Sequence, residues 1–439
     1  MKAREIALRI INEVQNNGAY ANIALAKELT RHSLQDQDRR FVTELVYGTV
    51  KAGETLDWML SIYVARPLSK IPPVIRNVLR MGIYQLIFMD KVPASAACNQ
   101  AAELAKIYGH AGTVKFVNGV LRTIARQPER IVYPDEKKEP ALFLARKYCH
   151  PLWIVERWLK RLGREAVEEL CRINNVTPTL TVRTNTLKIS REELLARLAQ
   201  EGVTAEASSA VPEGVVIHAH PALSSLVSLK EGLFQVQDES SMRVAHWLQP
   251  QPGELILDVC AAPGGKTTHI ATLMENTGRV IALDIHEHKL ELIHQNAERL
   301  GLSNIEPMLQ DACAVDSIFP SLADRVLVDA PCSGFGVLRR RADARWRKKP
   351  EMLKELPELQ RRILSSAAAC VKPGGILVYS TCTTEEEENQ AVIGWFLAQH
   401  TDFTLAPLPD DVSETPGMLQ LWPQQDDSDG FFICRMRRK

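Results

Sequence analysis

The feature that most constrains the fold is a regular alternation of strand-like and helix-like runs from about Gln235 to the end of the chain. Strands that alternate with amphipathic helices build a mainly parallel sheet with helices on its faces. Two late apolar runs, DFTLAPL and GFFICRMRR, are expected to close one edge of this sheet as an antiparallel pair. Together with the earlier runs LILDV, RVIALDIH, IEPMLQDA, RVLVDAPC and GGILVYSTC, they predict an α/β domain with a seven-stranded sheet over residues 235–439.

Two further regions precede this domain in the 439-residue chain. Residues 1–130 carry apolar side chains at helical spacing, such as Ile6, Ile10 and Val14, and predict an all-helical domain. The segment IVYPDEKKEP, residues 131–140, is charged and contains two prolines, which is typical of a linker. Residues 141–234 mix helix-like and strand-like runs and predict a small α+β subdomain on the substrate side.

Composition narrows the class of protein. Hydrophobic residues make up 45% of the chain and charged residues 24%, and no run approaches the length of a membrane span. The nine cysteines include no CxxC pair, so we expect neither a metal site nor a disulfide framework. These features predict a cytoplasmic protein without membrane association, which we expect to be a monomer. Because the formal net charge is zero, nucleic acid can be bound only through local basic patches.

The loop after the first predicted strand of the sheet is a candidate ligand site, because open parallel sheets bind ligands beyond the carboxyl ends of their strands. Small residues let a ligand approach the backbone here, and the following helix offers amides to a carboxylate such as that of methionine. A phosphate-binding loop is excluded because it requires glycine at position 260, and the G-x-G-x-x-G dinucleotide pattern is absent. The loop residues expected to bind cofactor are Cys260, Ala261, Ala262, Pro263, Gly264, Gly265 and Lys266.

Two acidic residues end the next two predicted strands. Asp284 is placed to accept hydrogen bonds from both hydroxyls of a ribose, and Asp311 to contact an adenine amino group. Each of them alone would be an ordinary surface aspartate at a strand end. Their common position at successive strand ends indicates an adenosine cofactor without a phosphate cradle. S-adenosylmethionine has this chemistry.

Two neighbouring strands end in a cysteine, Cys332 in RVLVDAPC and Cys382 in ILVYSTC. Free cysteine is usually a small buried hydrophobic residue, and Cys370 on a predicted helix face fits that role. Cys332 and Cys382 instead lie in loops that face the predicted crevice. A thiolate that adds to carbon 6 of cytosine makes carbon 5 nucleophilic enough to accept a methyl group, so the pair suggests cytosine methylation.

The segment after Cys382 bears on its reactivity. Thr384 and Glu387 form a capping-box pattern, which predicts a helix N-terminus that favours the thiolate. The glutamate run 385–388 opposes this effect, and we expect its carboxylates to point into water, where they are screened.

Polar and basic residues also surround Cys332. Asp329 is placed to hydrogen-bond the exocyclic amine and ring nitrogen of a cytosine, or else to cap the following turn. The segment GFGVLRRRADARWRKK interleaves cations with an aromatic residue, a pattern suited to phosphates and a stacked base, with a solvated basic loop as the alternative. The residues expected to bind RNA are Arg339, Arg340, Arg341, Arg345, Trp346 and Arg347.

In the motifs CAAPGGKT, DAPCSGFGVLRR, YSTCT with its glutamate run and Asn389, and the terminal DGFF, the chain resembles the RNA 5-methylcytosine methyltransferase family. The resemblance implies a class I, Rossmann-like S-adenosylmethionine-dependent fold over residues 235–439. It also implies cofactor binding by Cys260 through Lys266, Asp284, Asp311 and Asp329. Cys382 is then the nucleophile, and Cys332 assists product release.

The helical region, with RRFVTELVYGTV and KFVNGVLR, resembles the NusB-type RNA-binding domain of one bacterial branch, which modifies 16S ribosomal RNA. This implies 16S rRNA as the partner, with another RNA such as tRNA or 23S rRNA as the alternative. A methyltransferase acting on protein or a small molecule is disfavoured by the paired cysteines. A ribosome assembly factor without activity is disfavoured because both cysteines are intact.

Overall fold

The computed structural model describes residues 3–32, 34–408 and 413–439. The helices are α1 Ala3–Asn16, α2 Ala21–Arg31, α3 Asp36–Tyr63, α4 Pro73–Phe88, α5 Ala94–Tyr108, α6 Ala111–Arg126, α7 Pro140–Lys147, α8 Leu152–Leu162, α9 Arg164–Ile173, α10 Arg191–Gln200, α11 Val227–Lys230, α12 Glu239–Leu248, α13 Gly265–Leu273, α14 Glu287–Leu300, α15 Ala344–Arg347, α16 Met352–Ala369, α17 Gln390–Gln399 and α18 Pro423–Asp426. The strands are β1 Leu180–Thr184, β2 Thr204–Ala207, β3 Gly214–Ala219, β4 Phe234–Val236, β5 Leu255–Asp258, β6 Arg279–Asp284, β7 Ile305–Leu309, β8 Ala323–Asp329, β9 Val371–Thr381, β10 Phe403–Leu405, β11 Met418–Leu421 and β12 Phe431–Arg438.

The chain divides into two compact units. The first comprises Met1–Val176 and Leu338–Lys348, and the second comprises Thr177–Val337 and Lys349–Lys439. The predicted linker at 131–140 therefore lies inside the first unit, which continues through α7, α8 and α9. None of the helices in the described ranges combines the length and the apolar character that a membrane crossing requires.

The first unit is helical, as the apolar periodicity predicts. Ile6, Ile10 and Val14 lie on the buried face of α1, which packs with α3 and α4. The long helix α3 is broken at Gly53, whose backbone angles are not helical. Because a break in a helix frees backbone carbonyls from their usual partners, other donors must satisfy them.

The large sheet of the second unit has the order β10-β12-β9-β8-β5-β6-β7. Strand β11 pairs with the first half of β12, and β10 pairs with its last residues. Strands β5 to β9 pair in parallel, and β12 pairs antiparallel with β9, β10 and β11. This confirms the α/β class and the late antiparallel pair. The short strand β11 is an eighth strand that the sequence pattern did not predict, because its four residues show no clean alternation.

The small sheet of the second unit is antiparallel throughout, in the order β2-β3-β1-β4. Arg183 on β1 is almost fully buried and connects this sheet to the start of α13. Its guanidinium donates to the carbonyl of Gly265 at 2.7 Å and to Oγ1 of Thr268 at 3.0 Å. The small sheet thus supports the helix that follows the predicted cofactor loop.

Candidate functional site

The predicted cofactor loop joins β5 to α13. The amide of Ala261 donates to the carbonyl of Leu283 on β6, and the amide of Gly264 donates to the carbonyl of Ala261, both at 2.8 Å. Gly264 has a φ of +97°, and a Cβ there would lie 3.3 Å from Cα of Ile293. Glycine is therefore required at this turn, both for the left-handed backbone and for the close approach of α14.

The loop and the first turn of α13 fit the methionine end of S-adenosylmethionine. The first amides of a helix have no acceptor inside the helix and suit a carboxylate. A Cβ added to Gly265 would meet no atom within 4 Å, so a ligand has room beside this backbone. Burial and the carboxylates of Asp258, Asp329 and Asp284 raise the pKa of Cys260 well above its ordinary value, so Cys260 stays a neutral thiol.

The two predicted cofactor acids lie at the same edge of the sheet. Asp284 ends β6, and its residue partner on the neighbouring strand β7 is Leu309, two positions before Asp311. Oδ1 of Asp284 accepts a hydrogen bond from the amide of His286, and Oδ1 of Asp311 accepts one from the amide of Cys313, both at 2.9 Å. These bonds fix the orientation of each carboxylate. The prediction that Asp311 ends its strand is wrong, because β7 ends at Leu309 and Asp311 precedes the next turn.

An ion pair connects the loop to the end of β8. Nζ of Lys266 donates to Oδ2 of Asp329 at 2.7 Å, and Oγ of Ser380 donates to Oδ1 of the same carboxylate at 2.8 Å. Burial acts to lower the pKa of Lys266, but the charge and hydrogen bond of Asp329 outweigh it and raise the pKa overall. The charge of Cys382 acts in the same direction. A permanent ammonium group therefore stands in the electrostatic field of that sulfur.

Cys332 and Cys382 lie together beyond adjacent parallel strands, with their Sγ atoms 3.4 Å apart. The hydrogen bond to Cys382, burial and nearby negative charges raise the pKa of Cys332 well above its ordinary value. Cys332 is thus the partner that retains its proton. Cys370, by contrast, is buried and its burial raises its pKa to about 12, in keeping with a structural role.

The segment after Cys382 differs from its prediction. In place of a capping box between Thr384 and Glu387, a 3-10 turn spans Glu386–Glu388, and its N-cap residue Glu385 makes no side-chain cap. The expectation that the glutamates point into water is wrong for Glu385 and Glu388, which are fully buried. The sequence shows a uniform charged run, and only the packing of the loop decides that its first and last members are buried.

Asp258 is a site residue that the sequence analysis missed. It ends β5 directly before the cofactor loop and is 1% exposed. Burial raises its pKa to about 7, with a further contribution from the negative charge of Asp329. Its atom Oδ1 is buried without a hydrogen-bond partner, whereas Oδ2 accepts from Thr267. The available signal was its place at the end of the first strand, the same criterion that selected Asp284.

The basic segment after Val337 belongs to the helical unit. Arg345 is fully buried, and its guanidinium donates to the carbonyls of Cys149 at 2.8 Å and Asn174 at 3.0 Å. Nε1 of Trp346 donates to the carbonyl of Lys51 at 3.0 Å, next to the break at Gly53 in α3. These side chains hold the segment inside its own unit.

This placement contradicts the expectation that Arg345 is available to RNA phosphates. Trp346 and Arg347 are half-buried, and Arg347 donates to the carbonyls of Val14 and Ala19. Of the other predicted RNA contacts, Arg339 is buried, Arg340 is half-buried and Arg341 is exposed. Cations interleaved with an aromatic residue occur both on nucleic-acid surfaces and in buried segments whose side chains donate to backbone carbonyls. The sequence pattern alone therefore does not distinguish the two roles.

One group among the described residues has the types and spacing of metal ligands, namely Glu213, His246 and His269. The Glu213 carboxylate already lies 2.7 Å from Nε2 of His269 and 2.9 Å from Nε2 of His246. Burial lowers the pKa of His269 to about 4, and the positive charge of nearby Arg183 adds to the effect. A buried guanidinium beside the group disfavours a dication, so a protein without a metal remains our prediction.

Three family models match the chain. They are the NusB family over residues 1–126, the ferredoxin-like domain of RsmF/B-like methyltransferases over residues 150–223, and the 16S rRNA methyltransferase RsmB/F over residues 245–437. Each model covers a region that the sequence pattern had set apart. The match of the last model includes every residue of the site from Asp258 to Glu388.

Relatives match over the whole length. The chain is 42% identical to the "Probable ribosomal RNA small subunit methyltransferase B" of Bacillus subtilis, over 99% of this chain and 98% of the relative. It is 40% identical to the protein of that name from Synechocystis, with both chains fully covered. The solved structure of PH0851 superposes with a TM-score of 0.86 at 30% identity, over 99% of this chain and 97% of the other. The chain is therefore a methyltransferase and belongs to the ribosomal RNA small subunit methyltransferase B family.

Proposed function

We propose that the protein methylates carbon 5 of a cytosine in 16S ribosomal RNA, with S-adenosylmethionine as methyl donor and Cys382 as covalent nucleophile. The observation that carries this proposal is the pair of sulfur atoms 3.4 Å apart, beyond the ends of β8 and β9 and beside Asp329. A methyltransferase that acts on a nucleophilic nitrogen or oxygen needs no such pair. Carbon 5 of cytosine does, because it becomes a nucleophile only after a thiolate has added to carbon 6.

The two cysteines act at the covalent stages of this reaction. Cys382 adds to carbon 6, and the electron density displaced onto carbon 5 attacks the methyl group. S-adenosylmethionine, when bound, supplies that methyl group on an electron-poor sulfur. Loss of the carbon 5 proton to a base then restores the ring and expels the Cys382 sulfur. Cys332, which keeps its own proton 3.4 Å away, is placed to hydrogen-bond the departing thiolate.

Two charged residues support this cycle. The ammonium group of Lys266 stabilises negative charge on Cys382, because opposite charges in a partly buried site attract strongly. Asp329 is held by Lys266 and Ser380, and its carboxylate is our candidate for the acceptor that binds the exocyclic amine of cytosine. Asp284, Asp311 and the loop from Cys260 to Lys266 are proposed to bind the cofactor.

The RNA substrate is proposed from the family and from the domain composition. The relatives carry small-subunit ribosomal RNA in their names, and the NusB model matches residues 1–126. We propose residues 1–130 as an RNA-binding domain, 141–234 as the substrate-side subdomain and 235–439 as the catalytic domain. We further propose that the protein acts as a monomer in the cytoplasm and needs no metal ion.

The test compares three cysteine variants on RNA transcripts of 16S sequence. Cys382→Ala should bind cofactor and RNA yet transfer no methyl group, since carbon 5 is never activated. Cys332→Ala should attack and methylate but stall, leaving RNA attached to Cys382 in denaturing electrophoresis. Cys313→Ala, the matched control for a half-exposed cysteine outside the pair, should behave as wild type.

An adduct in Cys382→Ala and none in Cys332→Ala would reassign the nucleophile to Cys332. Continued methylation in Cys382→Ala, with no adduct in either variant, would refute the covalent mechanism. Bisulfite sequencing of ribosomal RNA from a strain without the protein identifies the base. Unchanged 16S cytosines, with a mark lost from tRNA or 23S rRNA, would move the substrate to that RNA.

A further inference from the structure

A buried polar network lies directly behind the two cysteines. Ser333 follows Cys332 and Thr383 follows Cys382, and the hydroxyl oxygens of Ser333 and Thr383 are 2.8 Å apart. Both side chains are fully buried. The two cysteine loops are therefore connected by the residue that comes immediately after each sulfur.

The carboxylate of Glu388 accepts hydrogen bonds from Ser333 and Gln360 and completes this network. Oε2 accepts the backbone amide of Ser333 at 2.8 Å, and Oε1 accepts the hydroxyl of the same residue. Oε2 also accepts Nε2 of Gln360 at 3.0 Å, and that nitrogen donates in addition to the carbonyl of Pro331 at 2.9 Å. Residues on both sides of Cys332 are thus fixed through Glu388 and its Gln360 partner.

The direction of each hydrogen bond follows from the chemistry of the groups. Burial raises the pKa of Glu388, and the hydrogen bonds from Ser333 and Gln360 oppose that shift by stabilising the carboxylate. As a carboxylate, Glu388 can only accept, so Ser333 gives its single hydroxyl proton to Glu388. The hydroxyl of Thr383 must then donate to Ser333. Glu388 in turn lies on the loop of Cys382, where the hydroxyl of Tyr379 donates to its carbonyl at 2.7 Å. One carboxylate on the Cys382 loop therefore determines where the Cys332 loop can lie.

We propose that Glu388 is a positioning residue that sets the spacing of Cys332 and Cys382. The catalytic meaning of this spacing rests on the proposed function, whereas the spacing itself does not. Glu388→Gln keeps the shape of the side chain but replaces one accepting oxygen by a donating amide, which then faces the donors of Ser333 or Gln360. The Ser333 segment, and Cys332 with it, should lose its fixed position.

The spacing is measured without RNA or cofactor by the rate at which the two thiols form a disulfide. Diamide takes two electrons and two protons from the thiols and becomes the corresponding hydrazine, while the S–S bond forms between Cys332 and Cys382. Peptide mapping by mass spectrometry quantifies this one bond over time. We expect the bond to form at least tenfold more slowly in Glu388→Gln than in wild type. Glu386→Gln, an exposed member of the same glutamate run, is the matched control and should react at the wild-type rate.

Ser333→Ala provides the second variant. It removes both hydroxyl bonds but keeps the backbone amide bond to Glu388, so it should slow the disulfide less than Glu388→Gln. It serves as the primary test if Glu388→Gln does not fold. Disulfide formation within twofold of wild type in the folded variants would overturn the proposal.

The same variants are then assayed for methyl transfer. We expect Glu388→Gln to lower kcat at least tenfold while cofactor Kd changes less than twofold, because the carboxylate is directed at the cysteine loops. If Glu388→Gln forms the disulfide more slowly but the wild-type enzyme methylates a base other than cytosine, the positioning role holds and the proposed function is refuted. A slower disulfide with wild-type kcat on cytosine would overturn the catalytic part of this inference.

Discussion

Thr267 Oγ1 donates to Oδ2 of Asp258 at 2.7 Å, and the two buried side chains join the end of β5 to the first turn of α13. The predicted cofactor loop lies between these two residues in the chain. This bond therefore fixes both ends of the loop, and it brings a carboxyl group into the interior beside the site.

The burial of Asp258 predicts a pH-dependent stability. Its pKa of about 7 in the folded state exceeds the value near 3.9 expected when unfolded. A carboxyl group whose pKa is higher in the folded state makes its full contribution to the unfolding free energy below the unfolded pKa. This contribution is lost as pH rises through the folded pKa. Relative to wild type, Asp258→Asn should therefore gain unfolding free energy between pH 4 and pH 8, on the order of 3–4 kcal/mol. Urea titrations across this range measure the difference.

Asp324→Asn is a control of opposite sign. Burial acts to raise the pKa of Asp324, but hydrogen bonds from Lys372 and the Leu255 amide lower it overall. Its contribution is present above the unfolded pKa and is lost as pH falls, so the variant should lose stability relative to wild type at neutral pH. If the unfolding free energies of wild type and Asp258→Asn instead change in parallel with pH, Asp258 ionises normally and the prediction for Asp258 is wrong.

Asp284→Ala should weaken cofactor binding. The change removes a charged acceptor at the end of β6, an effect on the order of 1.5–3 kcal/mol, or roughly tenfold to 150-fold in Kd. Titration calorimetry with S-adenosylmethionine and its demethylated product measures it. Glu287→Ala, an exposed carboxylate in the first turn of α14, should leave the affinity unchanged. Equal affinities for wild type and Asp284→Ala would remove Asp284 from the site.

Arg345→Met should destabilise the helical unit. Methionine fills much of the same space but leaves the carbonyls of Cys149 and Asn174 without their donor, which is expected to lower the unfolding free energy by about 3 kcal/mol or more. Arg341→Met, at an exposed position of the same segment, should stay within about 0.5 kcal/mol of wild type. Two variants of equal stability in urea titrations would contradict the structural role of Arg345.

Arg341→Glu should weaken RNA binding. If Arg341 contacts a single-stranded phosphate, its loss should reduce the slope of log affinity against log salt by about 0.7. Fluorescence anisotropy at several salt concentrations measures the slope, and cofactor affinity should be unchanged. Lys439→Glu alters the net charge equally at an exposed position after β12, near the start of β9 and away from the strand ends of the site, and is the control. Equal slopes in all three proteins would exclude Arg341 from the RNA contact.

The sequence by itself determined the order of the elements and the chemistry of the strand ends. In a parallel sheet the carboxyl ends of strands meet at one edge, so the positions of Asp284, Asp329, Cys332 and Cys382 in the chain are enough to bring them to one crevice. Local pattern also distinguishes helix from strand in long runs. It fails for the short strand β11, where pairing with β12 decides the conformation.

Only the tertiary structure decided which charged residues are buried. Arg345 and Arg341 belong to one basic run, yet one satisfies backbone carbonyls in the helical unit and the other is exposed. Glu388 and Glu386 belong to one acidic run, yet only Glu388 meets the donors of Ser333 and Gln360. The pKa of Asp258 likewise depends on its burial beneath the loop. The physical reason is that burial and partner geometry depend on residues far away in the chain, which no local pattern contains.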